Sequence, residues 1–348
     1  MAHSPVLSDY GEKRIIKEII APICGEFDAG IGIGDDAALI DIPPGTSILV
    51  STDKIPEDLI AMQLKLLSPF DHGRYLAQVN ISDIAAMGGI PIGLVATFAL
   101  PNDFSIDYLK LFLEGLTVGC SEHGIQVLGG DLGWGSAPCF SATALGYVEK
   151  KNVLRRNKAS AGDAVFVSGE VGGFGSALAY FATAKKKGLS LSESDEKYFL
   201  EKLTRPQARV SLGKLLGESG VCSSCMDITD GVGQSIRELS EASNLNFEIS
   251  SHLLPVHPAT KIISEFLGVD DAQVIFGIGL DLQLIGTIKG SAKNLPSELK
   301  NQIQIIGIVR EEGENSLCLE DGEIVPIPHL GWQHFLTDAM SQIKSLYT

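Results

Sequence analysis

The stretch DHGRYLAQVNISDIAAMGG, residues 71–89, runs directly into IPIGLVATFAL, residues 90–100, and together they set the fold class. The first part places Tyr75, Leu76, Val79, Ile84 and Met87 at helical spacing and closes on Gly88-Gly89, a pair that stops a helix. The second part is an apolar run with β-branched and aromatic residues, interrupted by Pro91 and too short to cross a membrane, so it reads as a buried strand. A helix feeding a buried strand in this way predicts α/β layers rather than an all-helical or all-β chain.

The alternation continues on both sides. Residues 47–51 read as a short strand and residues 105–123 as a helix, begun by the turn Pro101-Asn102-Asp103 and ended by Gly124. Residues 125–128 and 140–148 supply further strands, separated by a glycine-rich loop. After the polar residues 149–163 the pattern restarts with a strand over 164–168, a glycine-rich turn and a helix over 176–187. Residues 185–197 read as a polar surface segment, 228–243 as a turn and helix, 280–288 and 303–309 as strands, and 331–347 as a terminal helix. The break predicts two domains, 1–150 and 151–348.

With 45% hydrophobic and 20% charged residues, the 348-residue chain can bury a large core, which excludes disorder as its ordinary state. A formal net charge of -16 repels phosphate backbones and acidic membrane surfaces, so neither nucleic acid nor membrane is an expected partner. The start MAHSPVLSDYGEKRIIKEII lacks the pattern of a secretory signal, and a cytoplasmic location is expected. Cys222 and Cys225 form one C-x-x-C pair with no second pair to complete a zinc site; reduced, buried thiols are the expectation.

The residues that carry chemistry are aspartates in small, glycine-rich or polar contexts. They are Asp35 and Asp36 in GIGIGDDAA, Asp53 in Ser51-Thr52-Asp53, Asp83 in NISDIAAMGG, Asp131 in Gly129-Gly130-Asp131, and Asp230 in Asp227-Ile-Thr-Asp-Gly231. Asp83 stands among Ile81, Ile84, Ala85, Ala86 and Met87, and a carboxylate in apolar surroundings needs a partner. These segments hold no matching supply of Lys and Arg, so hydrated Mg²⁺ is the economical counter-ion. Any one of these aspartates could simply cap a helix or hold a turn. Taken together, with flanking glycines that permit close backbone approach, they point to a polyphosphate bridged by metal.

Residues 168–176, SGEVGGFGS, lie between a strand and a helix, where backbone amides can receive phosphate, although a plain strand-to-helix turn has the same composition. The segment fits neither the Walker nor the dinucleotide spacing. Arg155 and Arg156 precede it and could screen a transferred phosphate, or be solvated.

In order and spacing, Gly34-Asp-Asp-Ala-Ala, Ser51-Thr-Asp, Asn80-Ile-Ser-Asp-Ile-Ala-Ala-Met-Gly, Gly129-Gly-Asp, Leu154-Arg-Arg with Ala161-Gly-Asp, Val167-Ser-Gly and Asp227-Ile-Thr-Asp-Gly resemble the thiamine-monophosphate kinase family. That family shares a superfamily with aminoimidazole-ribonucleotide synthetase, selenophosphate synthetase and a hydrogenase-maturation protein. The likeness extends from about Gly11 to Gly331-Trp-Gln-His-Phe335.

The resemblance implies a two-domain fold like aminoimidazole-ribonucleotide synthetase, as a homodimer whose N-terminal domains pair their sheets into a β-barrel. ATP would lie near that interface, with the C-terminal α/β domain closing over it. It further implies that Asp35, Asp53, Asp83, Asp131 and Asp230 hold Mg²⁺ on the phosphates, and that Gly34, Asp36, Thr52, Asn80, Gly129, Gly130, Arg156 and Asp227 line the nucleotide. Asp83, Asp230 and Arg156 are then the residues closest to catalysis.

Departures from the family fall on the acceptor side. Where its members continue after Ser-Thr-Asp with a segment of the type Val-Glu-Gly-Val-His-Phe, this chain has KIPEDLIA, residues 54–61, with Ile60 and Ala61 in place of the His and the aromatic. A typical Gly-Glu-Asp-Tyr-Glu-Leu is matched by Gly279-Leu-Asp-Leu-Gln-Leu284. Such changes remove stacking and cation-π contacts from a pocket for a cationic heteroaromatic. Lys54 could contact an anionic acceptor or ATP, or pair with Glu57 or Asp58; Trp134 could stack on a ligand or pack at an interface. Phosphoryl transfer to thiamine monophosphate or another small anionic acceptor is the leading reading. An ATP-dependent ligase or cyclase and a non-catalytic nucleotide-binding dimer are the alternatives.

Overall fold

Gly88 takes a left-handed φ of +73° and ends the helix Pro69–Ala86 (α1), after which the chain enters strand Ile90–Leu100 (β2). Both elements stand within two residues of the sequence expectation, in a computed structural model that describes residues 5–24, 40–55, 59–290, 295–328 and 330–331. Two compact units make up the chain, the first spanning Met1–Ile84 and Gly89–Lys150, the second Ala85–Gly88 and Lys151–Thr348.

The first unit is built on a four-stranded sheet of strands Thr46–Ile55 (β1), β2, Gln126–Trp134 (β3) and Cys139–Glu149 (β4), in the order β1-β4-β2-β3. Strand β4 is antiparallel to both neighbours, and β3 runs parallel to β2 after the crossover helix Ile106–Ser121 (α2). The Ser105 hydroxyl caps α2 by accepting the amide of Tyr108.

Alternate residues of the sheet face these helices. Phe98 of β2 and Phe140 of β4 meet Phe112 of α2, and His72 of α1 packs edge-on against both Phe112 and Phe140. A Cβ on Gly73 would stand 1.8 Å from the Phe112 carbonyl oxygen, and one on Gly115 the same distance from that of Phe70, so the two helices touch backbone to backbone. The other face of the sheet carries Ile48 and Val50, 57% and 63% exposed, beside half-buried Val95, Leu145 and Tyr147.

Residues 129–131, expected in a loop, are paired strand residues of β3. Glycine disfavours strands, but a side chain at Gly130 would put its Cβ 1.8 Å from the Ala96 carbonyl oxygen, so the β2–β3 pairing requires its absence.

The second unit holds a seven-stranded sheet in the order β11-β10-β7-β9-β5-β8-β6. Its strands are Ala164–Val167 (β5), Cys222–Asp227 (β6), Asn246–Ser250 (β7), Leu284–Ile288 (β8), Gln304–Arg310 (β9), Ser316–Cys318 (β10) and Ile324–Pro326 (β11). Helices Gly173–Ala179 (α3), Glu193–Thr204 (α4), Val210–Ser219 (α5), Val232–Ser243 (α6) and Ala259–Leu267 (α7) pack with it, among shorter helical turns.

Helix α4 takes over the last five residues, 193–197, of the polar surface segment expected over 185–197. Ser192 caps it by accepting the Asp195 amide, and Phe199 and Leu203, four residues apart, bury its one apolar stripe. Cys222 and Cys225 are buried free thiols in β6, and the hydrogen bond with the Cys222 thiol, together with burial, raises the Cys225 pKa and keeps it protonated. The terminal helix expected over 331–347 lies almost wholly outside the described residues. Among the described residues no helix is long and apolar enough to cross a membrane.

Candidate active site

Strand β1 and helix α1 bring two of the sequence motifs together. Ser51, Asp53 and Ile55 alternate toward the helix side of the sheet, and the Ser51 hydroxyl donates to Asp83 Oδ2 at 2.5 Å. The backbone N–H of Asp53 donates to Asn80 Oδ1 at 3.0 Å, while Asn80, wholly buried, donates through Nδ2 to the Leu76 carbonyl of its own helix. Asn80 and Asp83 sit three residues apart on one helical face, which is why N-x-x-D can engage alternate residues of one strand. The Lys54 amide donates to Asp53 Oδ1 at 2.8 Å, which fixes the carboxylate beside the strand end.

Tyr75 lies on the same helix, its hydroxyl buried and without a hydrogen-bond partner among the described residues. Burial, reinforced by the Asp53 charge, pushes its ionisation well above the ordinary range. The corner is therefore acidic and built from hard oxygen donors, the chemistry that suits Mg²⁺.

Asp131 stands elsewhere in the sheet. Asp53 is level with Ala142 of β4 and Asp131 with Thr97 of β2, which puts the two aspartates on opposite edge strands and opposite faces. Three strand spacings separate them, about 14 Å. Among the described residues no three carboxylate, His or Cys side chains gather as a metal site within the chain. Gly34, Asp35 and Asp36 lie outside the described residues. Thr52, on the sheet face away from the helices, donates its hydroxyl to the Ala142 carbonyl and receives that of Thr143. Lys54 and Trp134 are exposed, Trp134 to 71%. Ile60 and Ala61 are buried and serve packing.

In the second unit Asp227 and Asp230 stand together at the end of β6, while Arg156 is held against the C-terminal half of α6. Asp227 closes β6 and is 1% exposed; the turn that follows presents half-buried Asp230. Gly231 has φ +107°, and a Cβ there would lie 1.8 Å from the Gly277 carbonyl oxygen, so this turn admits only glycine. Arg156 has a carboxylate partner, donating through Nη1 to Glu238 of α6 at 2.7 Å with half its side chain exposed.

Of the two readings open for the glycine-rich turn after β5, the structure has the plain strand-to-helix turn. The amides of Gly172 and Phe174 both donate to Asp281, at 2.9 Å each, so the N-terminus of α3 already holds a buried carboxylate. Burial raises the pKa of Asp281, and the amide hydrogen bonds partly offset it. Beside it, Gln283 Oε1 accepts from the Ser168 hydroxyl at 2.8 Å and from Arg209 Nε at 3.0 Å. Asp281, Gln283, Ser168 and Arg209 were not singled out as site residues. The surviving Gly279-x-Asp281 signal was visible, but it carried no indication of which amides the carboxylate would meet.

The chain is similar to known proteins over most of its length. Residues 34–148 match the family described as AIR synthase related protein, N-terminal domain. The thiamine-monophosphate kinase of Bacillus subtilis (strain 168) is 32% identical over 317 residues, covering 88% of this chain and 93% of the relative. Among solved structures, the thiamine-monophosphate kinase from Stenotrophomonas maltophilia K279a is 28% identical with a TM-score of 0.71, covering 84% of this chain and 91% of that one. AaThiL complexed with AMPPCP and TMP is 26% identical with a TM-score of 0.71, covering 96% of this chain and all of that one. A relative above 30% identity matched over nearly its whole length, with the motifs in the same order, fixes the assignment: the chain belongs to the thiamine-monophosphate kinase family.

Proposed function

We propose that this chain is an ATP-dependent kinase that moves the γ-phosphoryl group of ATP to the phosphate of thiamine monophosphate. The products are ADP and thiamine diphosphate. The observation that carries the reading is the joining of Ser51-Thr52-Asp53 to Asn80 and Asp83. It fixes two carboxylates at the end of an edge strand, in a chain whose relatives are named for this reaction and whose structural neighbour holds AMPPCP and TMP.

Asp53 and Asp83 would hold Mg²⁺, with Asp35, Asp131 and Asp230 as further carboxylates and Gly34, Asp36, Thr52, Gly129, Gly130 and Asp227 lining the nucleotide. Bound Mg²⁺ supplies neutralisation of the charge on the phosphates. The chain contributes position: Ser51 holds the Asp83 carboxylate at one oxygen, and Asn80 holds the backbone that carries Asp53. Little covalent chemistry is needed from the protein, because the acceptor's phosphate oxygen attacks in line and ADP departs.

A homodimer is part of the proposal. The exposed apolar residues Ile48 and Val50 share a sheet face with Val95, Leu145 and Tyr147, a surface that pairing with a second copy would bury. Asp131 lies on that same face, where closure of two sheets into a barrel would bring it against the second copy. Incubating the purified chain with ATP, Mg²⁺ and thiamine monophosphate, with mass spectrometry of the products, tests the reaction. Free phosphate with a new C–N bond would point instead to ligase chemistry.

A further inference from the structure

Strands β7 and β10 run parallel and side by side, and the chain leaves them toward opposite flanks of the sheet: β7 leads on to β8 beyond β9 and β5, and β10 to β11 on the other side. A crevice opens outside the C-terminal ends of neighbouring strands where connections diverge in this way, and such crevices take ligands. Here it is a cleft of about 560 Å³ that begins with Ser251 and Leu319, the first residues after the two strands. All of its lining belongs to the second unit. Four strand spacings, about 19 Å, separate β7 from β6, which ends at Asp227, so the cleft is a second place on this unit.

Its floor is apolar. Leu254, Val256, Ile275 and Leu319 are half-buried there, packed over the buried Phe276 and Leu317. Aliphatic surface left in a recess is what the body of a ligand can cover.

Polar groups around the rim decide the charge of that ligand. Helix α7 starts at the rim, but its first three amides are occupied: Ala259 N–H donates to His257 Nδ1, Thr260 N–H to the His257 carbonyl and Lys261 N–H to the Pro258 carbonyl. The other ring nitrogen of His257 lies 3.7 Å from Asp195. This helix start therefore has no free amides for an anion. Elsewhere on the rim Asp270 accepts the Ala272 amide at 2.8 Å, and Asp271 accepts the Ser264 hydroxyl. Both carboxylates are held in place, and Glu320 joins them with no hydrogen-bond or ion-pair partner among the described residues. Three carboxylates stand against one lysine, Lys261, so the capacity left over is for a positively charged donor.

We propose that this cleft binds a primary ammonium ion carrying an apolar body, with the ammonium on Glu320 and Asp270 and the body on Leu254, Ile275 and Leu319. A primary ammonium supplies N–H groups to the carboxylates, which a quaternary ion lacks. The site does not depend on the kinase reading.

Equilibrium dialysis of the full chain against phenethylammonium, uncharged phenethyl alcohol and anionic phenylpropionate tests the proposal, because the three share one body and differ in the head group. Phenethylammonium is expected to bind saturably with a Kd of about 1 mM or tighter, and the other two at least about tenfold more weakly. Glu320→Lys, at an exposed position, should weaken the ammonium about tenfold, and Ala272→Leu, which fills part of the cleft without touching a charge, should weaken it by a similar factor. Attraction to an acidic surface alone would not respond to Ala272→Leu. Circular dichroism checks that both variants fold. No saturable uptake of phenethylammonium by wild type, equal binding of phenethyl alcohol, or a Kd within about twofold of wild type in both variants would overturn the site.

Discussion

The Ser51 hydroxyl donates to the Asp83 carboxylate at 2.5 Å, joining an edge strand to a helix residue 32 positions later. If Asp83 is a metal ligand, Asp83→Asn should lower turnover by about 100-fold or more while the protein still folds. Ser51→Ala removes only the positioning contact and should cost about tenfold, recoverable in part by raising Mg²⁺. Steady-state kinetics across a Mg²⁺ series, with circular dichroism of both variants, reads the difference. A fully active Asp83→Asn enzyme contradicts the assignment.

His72 gives a pH prediction for stability. Burial in the aromatic cluster lowers its pKa from 6.5 to about 4, so the folded protein keeps it neutral where the unfolded chain protonates it. Between those values the unfolded state binds more protons, and stability is lost as pH falls through the window. The contribution is about 3 kcal/mol. Urea denaturation between pH 7 and about pH 4.5 should show a shallower acid-side decline for His72→Phe than for wild type.

Gly231→Ala should be among the most damaging small changes. It forces a left-handed φ of +107° on an L side chain and drives a Cβ to 1.8 Å from the Gly277 carbonyl oxygen. A loss of about 2 kcal/mol or more is expected, with activity falling as the Asp227–Gly231 turn shifts. Denaturant midpoints and the rate of ADP formation check both parts.

The apolar sheet face predicts an oligomer. Val50, 63% exposed, and Ile48 stand on it. Val50→Asp should convert a dimer to monomer in sedimentation velocity and lower activity in parallel, because a carboxylate buried in that interface would be unpaired. A wild-type chain that sediments as a monomer at assay concentration removes the proposed barrel.

How far the sequence could be read depended on whether the deciding interaction was local. Helix α1 and strand β2 were legible because their apolar period and the Gly88-Gly89 stop are properties of adjacent residues. The place of Gly129 and Gly130 within β3 was not, because what admits them is close approach of the Ala96 backbone on another strand. Helix α4 was hidden by its charged surface, with only Phe199 and Leu203 to mark its buried side.

The same division holds for the site. Short acidic motifs pointed to metal and phosphate, and Asn80 with Asp83 proved to meet Ser51 and Asp53. The separation of Asp131 from Asp53 follows from the strand order β1-β4-β2-β3, which no spacing along the chain encodes. Likewise the glycine-rich turn has the composition of an anion site, yet its amides are taken by Asp281 from a segment more than 100 residues later.

One reaction bears on all of this. Purified chain, ATP, Mg²⁺ and thiamine monophosphate, followed by mass spectrometry, should yield thiamine diphosphate and ADP in equal amounts, with none formed when Mg²⁺ is chelated. Hydrolysis of ATP to free phosphate with thiamine monophosphate left unchanged, or no nucleotide turnover at all, would contradict the account.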